Sequence, residues 1–154
     1  MVDKTNAMRK LDSMKIKYKE YFYTNALSGI EVATALGENP KQVFKTLVTV
    51  AKSGKNYVFL LPVLEELDLK KAAAVVGEKA IDMVKSKELL GLTGYVHGGC
   101  SPIGMKKFFT TTIHQSAKDF ETIIFSGGKI GFQIELSLED LSKVIPYKLA
   151  DIVK

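Results

Sequence analysis

Residues 44–63 narrow the fold more than any other stretch. Phe44-Lys45-Thr46-Leu47-Val48-Thr49-Val50 is a run of β-formers, and 57–63 (Tyr-Val-Phe-Leu-Leu-Pro-Val) is a second. Ser53-Gly54-Lys55-Asn56 between them supplies turn residues. Two such runs joined by so short a turn predict an antiparallel hairpin. The chain is therefore organised around a sheet.

The flanking sequence alternates strand and short-helix signals. Residues 5–14 place Ala7, Met8, Leu11 and Met14 on one face and predict an amphipathic helix. Residues 16–24, rich in tyrosine and phenylalanine, predict a strand. Ser28 and Glu31 have capping-box spacing ahead of a helix that stops near Gly37. Asp68 caps a helix over 69–76 that Gly77 ends. A short strand is expected over 81–84, and Ser86 is read as the cap of a helical turn through Leu90. Residues 108–113, 122–125 and 131–136 read as strands, with a glycine-rich turn over 126–131. Ser137 caps a helix that Pro146 ends, and 149–153 are expected to pair at an edge. Six or more strands among short helices predict an α+β fold around a mixed, largely antiparallel sheet.

Several classes are excluded. The longest apolar run, 57–64, is far too short to cross a bilayer. One cysteine leaves no intrachain disulfide framework and fits a reducing cytoplasm. Two histidines and one cysteine cannot assemble a metal cluster at the usual spacings. There is no G-x-S-x-G elbow and no G-x-G-x-x-G. Gly99 to Lys106 has P-loop spacing, but Met105 stands where the lysine must follow the glycine. The net charge of +5 comes from scattered lysines, which fits either a solvated surface or a diffuse attraction to RNA.

Three features carry chemistry. The loop Gly98-Gly99-Cys100-Ser101-Pro102-Ile103-Gly104 is either a ligand-facing turn or a tight corner. Cys100 has His97 three residues away, but no third group to orient a base, so a small residue filling a loop position is its simpler reading. Lys45 stands inside a strand, where a lysine either snorkels at the sheet edge or points into a polar pocket.

Four landmarks occur in a specific order and spacing. They are Phe44-Lys45-Thr46-Leu47, Leu69-Lys70-Lys71-Ala72-Ala73, Gly94-Tyr95 with the 98–104 loop, and Phe125-Ser126-Gly127-Gly128-Lys129 with Gly131. With them the chain resembles the YbaK family, free-standing bacterial editing proteins related to a domain inserted in prolyl-tRNA synthetases. The resemblance covers nearly the whole length. It implies one editing domain over 1–154 with a barrel-like central sheet surrounded by short helices. It also implies an aminoacyl-tRNA deacylase that clears cysteine from tRNA(Pro), and by extension from tRNA(Cys), through attack of the substrate's own thiol on its ester. Removal of alanine from tRNA(Pro) by water, and a non-catalytic RNA- or nucleotide-binding module, are the alternatives.

By the same resemblance Lys45 is the catalytic residue. The substrate pocket is expected to involve Tyr23, Thr46, Gly98, Gly99, Ser101, Pro102, Gly104, Ser126, Gly127, Gly128 and Gln133. Aminoacyl-tRNA and prolyl-tRNA synthetase are the implied partners, without metal or cofactor. Two positions depart from the family pattern. Ile130 stands where an arginine is frequent, and Cys100 where relatives carry another small or aliphatic residue. A chemistry that tolerates the second variation does not depend on this thiol.

Overall fold

A computed structural model describes residues 4–24 and 29–154. Helix α1 (Asn6–Ser13) starts at Thr5, whose hydroxyl accepts from the Met8 N–H at 3.1 Å, and it buries Ala7, Met8 and Leu11. Strand β1 (Lys19–Phe22) and helix α2 (Gly29–Ala35) follow. The hairpin is β2 (Phe44–Ala51) and β3 (Asn56–Pro62), paired antiparallel from Phe44↔Pro62 to Val50↔Asn56. Helix α3 (Leu69–Val76) is capped by Asp68, which accepts from the N–H groups of Lys70 and Lys71 at 3.0 Å. Gly77 ends it at φ 75°. After β4 (Ile81–Met83) and α4 (Ser86–Thr93) come β5 (Thr110–His114), β6 (Ile123–Lys129), β7 (Phe132–Leu136), α5 (Leu138–Val144) and β8 (Lys148–Ala150).

The strands form two sheets, one ordered β1-β7-β6 and one ordered β4-β2-β3-β5-β8. Pairing is antiparallel except at β3–β5 and β5–β8. The fold is α+β with a mixed sheet, as expected, but no closed barrel forms among the described residues. From Tyr57 to Pro62 strand β3 is apolar and buried, because both of its faces are covered. Val58 and Leu60 pack with Met8, Leu11, Phe125 and Ile134 between the sheets. Phe59 and Leu61 pack with Ala72 and Ala73 of α3 on the other side. Each large side chain buried in this way contributes about 1.5–3 kcal/mol. No helix among the described residues is long and apolar enough to cross a membrane.

Local differences from the sequence reading have simple causes. Strand β1 is shorter than 16–24, because only Lys19–Phe22 find partners on β7. Ser86 is the first helical residue of α4 and makes no cap; Lys85 precedes it without a side-chain bond. A 3₁₀ turn at Gln115–Asp119 carries no strong local signal. The glycine-rich turn contracts to Ile130 and Gly131. Residues 126–129 remain in β6, with a bulge between Ser126 and Lys129 absorbing the glycines. Ser28, half of the expected capping box, lies outside the described residues.

Candidate functional site

The two sheets meet at one parallel bridge, Val43↔Ile124. Beyond it β2 pairs with β3, and β6 pairs with β7. Strand β4 covers the outer edge of β2 only from Thr49 to Ala51, with one further bond from the Val84 N–H to the Val48 carbonyl at 3.1 Å. The first half of β2 therefore leaves an edge open. Because peptide groups alternate along a strand, Phe44 and Thr46 turn theirs to the same side as Val48.

A cavity of about 260 Å³ fills this gap. Phe44, Lys45, Thr46 and Leu47 form one wall, Ser126 and Gln133 the second, and His97, Gly98 and Cys100 the third. Tyr23, Val32, Val43, Val63 and Leu89 complete the lining. The volume lies just below the usual range for small-ligand sites, roughly 300–1,000 Å³. It suits an aminoacyl ester better than a whole nucleotide.

Lys45 is half-buried, and burial pulls its ammonium below the ordinary lysine range, against the opposing pull of Glu66 and Glu65. It enters no ion pair among the described residues; Glu66 pairs instead with Lys154 at 3.4 Å. The Thr46 hydroxyl next to it is buried and has no hydrogen-bond partner among the described residues. Leaving such a group unpaired costs about 1–3 kcal/mol, so a ligand that bonds it recovers that energy. Across the gap Ser126 is engaged, its hydroxyl accepting from the Gly128 N–H at 3.1 Å. With its side-chain amide turned to donate, Gln133 bonds the two Glu38 carboxylate oxygens at 3.0 and 2.9 Å; the reverse orientation sets oxygen against oxygen. Burial, helped by the nearby Glu135 charge, raises the Glu38 carboxyl to about 7.

Cys100 reaches the cavity, but its thiol is not activated. Burial pushes it up to about 12, opposed only by a bond from Thr93. His97 is exposed at the cavity lining and forms no hydrogen bond to the thiol among the described residues. No group of three or more metal-ligating side chains occurs there either.

The expected pocket residues divide. Lys45, Tyr23, Thr46, Gly98, Ser126 and Gln133 come together around the cavity. Gly99, Ser101, Pro102, Gly104, Gly127 and Gly128 do not line it. Ser101 and Pro102 are buried, and the Ser101 hydroxyl accepts from the Ile103 N–H at 3.3 Å. A Cβ at Gly104 would lie 2.9 Å from the Tyr95 hydroxyl and 3.0 Å from the Ala7 nitrogen. A Cβ at Gly99 would lie 2.7 Å from the Ile130 nitrogen. These two glycines are required by protein packed against protein. Glu38 and the apolar floor were missed by sequence reasoning. A glutamate just past a helix end carries no local mark, and Val32, Val43, Val63 and Leu89 look like ordinary core.

Residues 25–144 match the aminoacyl-tRNA editing domain family. The chain is 44% identical over 152 residues to EbsC of Enterococcus faecalis, described as a candidate Cys-tRNA(Pro)/Cys-tRNA(Cys) deacylase; the match covers 97% of this chain and 93% of that protein. It is 30% identical over 96 residues to a proline–tRNA ligase of Thermodesulfovibrio yellowstonii, covering 62% of this chain and 16% of the ligase. Among solved structures it resembles a candidate trans-editing enzyme for prolyl-tRNA synthetase. That likeness has a TM-score of 0.86 at 23% identity, covering 97% of this chain and 95% of the other.

Proposed function

The chain belongs to the aminoacyl-tRNA editing domain family, and we propose that it deacylates cysteine mischarged on tRNA(Pro). A synthetase site shaped for proline rejects a similarly sized side chain only weakly, and a separate deacylase restores fidelity. The observation that carries this reading is the cavity itself. A partly desolvated ammonium (Lys45) and an unpartnered hydroxyl (Thr46) lie beside a neutral, buried thiol (Cys100), and no activated nucleophile is present among the described lining residues.

Such a site suits a substrate that brings its own nucleophile. The cysteinyl sulfur attacks the ester carbonyl carbon. A C–S bond forms, the C–O bond to the terminal ribose breaks, the proton given up by the cysteinyl thiol ends on the ribose oxygen, and a cyclic thiolactone leaves. Intramolecular attack carries a large proximity advantage when the substrate is held folded. Lys45 neutralises charge developing on the carbonyl oxygen or orients the terminal nucleoside. Thr46 bonds the ester region, and Gln133, held by Glu38, together with Ser126 shapes the opposite wall. Gly98 and Tyr23 complete the lining around the substrate. Prolyl-tRNA synthetase supplies the mischarged tRNA and is the natural partner.

The test is a deacylation panel on Cys-tRNA(Pro), Ala-tRNA(Pro), Pro-tRNA(Pro) and Cys-tRNA(Cys), with and without prolyl-tRNA synthetase. Rapid release of cysteine with alanine and proline left intact is the expected result. Release of alanine at a comparable rate would replace the thiol mechanism with attack by water.

A further inference from the structure

Beside the cavity lies a second depression, of about 240 Å³, whose lining includes Lys4, Thr5, Arg9, Gly94, Gly128 and Lys129. The bulged end of β6 contributes to both. Ser126 lines the cavity, Gly128 lines the depression, and the Gly128 N–H donates to the Ser126 hydroxyl at 3.1 Å.

The depression differs from its neighbours in sign. The lysine-bearing depression along α1 and β1 also holds Asp12 and Glu20, and the one beside β7 holds Glu135 and Asp140. The groove beyond Lys45 holds Glu66 and Asp68. No carboxylate lines the depression at Lys129 among the described residues. Lys4 is compensated by an ion pair with Asp12. Among the described residues the Arg9 guanidinium hydrogen-bonds the neutral Asn6 amide, at 3.3 Å, and no carboxylate. The Lys129 ammonium lies over the Phe132 ring, 5.3 Å from its centroid. The stem of Lys106 passes over Gly94 at the margin, so that a Cβ there would lie 3.2 Å from its Cγ. Arg9 and Lys129 thus line the hollow without acidic partners among the described residues, and the N-terminal turn of α1, through Thr5 and Asn6, opens on the same hollow.

We propose that this depression binds backbone phosphate of the tRNA strand that ends in the cavity, with Arg9 and Lys129 as the phosphate-contacting groups. The inference rests on the functional reading above. The cavity has room for the aminoacyl ester, and the nucleotides before it must leave past the cavity rim. The nearest surface of uniform positive charge is the one against the Ser126–Gly128 hydrogen bond. A polyanion held there positions the ester without any base being read, because phosphate contacts fix register and carry no sequence information.

The experiment compares three proteins: wild type, Arg9→Gln/Lys129→Gln, and the charge-matched control Lys52→Gln/Lys55→Gln on the exposed β2–β3 turn. Each is tested on Cys-tRNA(Pro), on 2′(3′)-O-cysteinyl-adenosine, and for binding of uncharged tRNA(Pro) across a salt series. The Arg9/Lys129 variant is expected to raise KM for Cys-tRNA(Pro) about tenfold while cleaving the nucleoside ester within about twofold of wild type. Its slope of log Kd against log salt should be shallower by about 1.4–1.8, the value for two lost phosphate contacts. The control should match wild type. An equal loss in the control, or an equal loss on the nucleoside ester, would overturn the proposal. The binding series needs no catalysis. If wild type cleaves neither ester yet the slope changes as stated, the deacylase reading falls and the tRNA-binding surface stands.

Discussion

Two of the cavity's walls are unlike. The β2 wall carries its chemistry on side chains, Lys45 and Thr46, whose backbone is secured by pairing with β3 on the other edge. The loop wall, from His97 to Cys100 against the end of β6, carries almost none. Its Gly98 sits at φ 85°, and its Gly99 is pressed to the Ile130 backbone. On the strand wall, ligand chemistry and fold stability are separable. On the loop wall the same glycine contacts make the fold and shape the cavity, so no substitution there is purely functional.

The largest separation is expected at Lys45. Lys45→Ala should lower deacylation of Cys-tRNA(Pro) by about 10²–10³-fold, the usual loss when one preorganised charge-stabilising group is removed. The urea midpoint should barely move, because a partly desolvated cation outside any ion pair contributes little to the fold. An undiminished rate would remove Lys45 from the mechanism.

Gly99→Ala tests the opposite wall. The added Cβ meets backbone at 2.7 Å, which cannot swing aside, so stability should fall by about 1–3 kcal/mol and activity should fall with it. A stable protein with wild-type rates would show that the 97–100 segment and the β6–β7 turn are not rigidly joined.

Thr46→Val sharpens the strand wall. It removes a buried hydroxyl that has no partner among the described residues, so stability should hold or rise by up to about 1 kcal/mol while deacylation falls about tenfold. Parallel losses in a thermal melt and in the deacylation assay would assign Thr46 to the fold instead.

Glu38 gives a smaller, pH-dependent effect. Its carboxyl lies near 7 in the fold, raised first by burial and then by Glu135, with Gln133 and Tyr21 as its other neighbours. The folded protein therefore holds this proton more tightly than the unfolded chain. The stabilisation is complete below the ordinary glutamate range and is lost as pH rises through about 7. Unfolding midpoints taken between pH 5 and 8 should decline in wild type and flatten in Glu38→Gln.

The smallest effect belongs to Cys100. With its thiol pushed up to about 12, Cys100→Ser should keep Cys-tRNA(Pro) deacylation within about threefold. Abolished activity would restore a protein-thiol mechanism.

Much of this molecule is written locally. Asp68 and Gly77 bound α3 because a carboxylate satisfies the first N–H groups and a glycine accepts positive φ; both effects act within a few residues. Ser137 opens α5 in the same way. The β2–β3 hairpin and the odd position of Lys45 also follow from neighbouring residues alone.

What the sequence could not decide is which distant segments meet. The parallel pairing of β3, β5 and β8, the Val43–Ile124 bridge that opens the cavity, and the Glu38–Gln133 contact each join residues far apart in the chain. The glycines carry the same ambiguity. A glycine is needed wherever a Cβ would collide, and local sequence does not record whether the collision is with a ligand or with the protein's own backbone. Packing resolved that at Gly99 and Gly104, which close the core around the cavity, whereas Gly98 lines the cavity and answers to its φ of 85°.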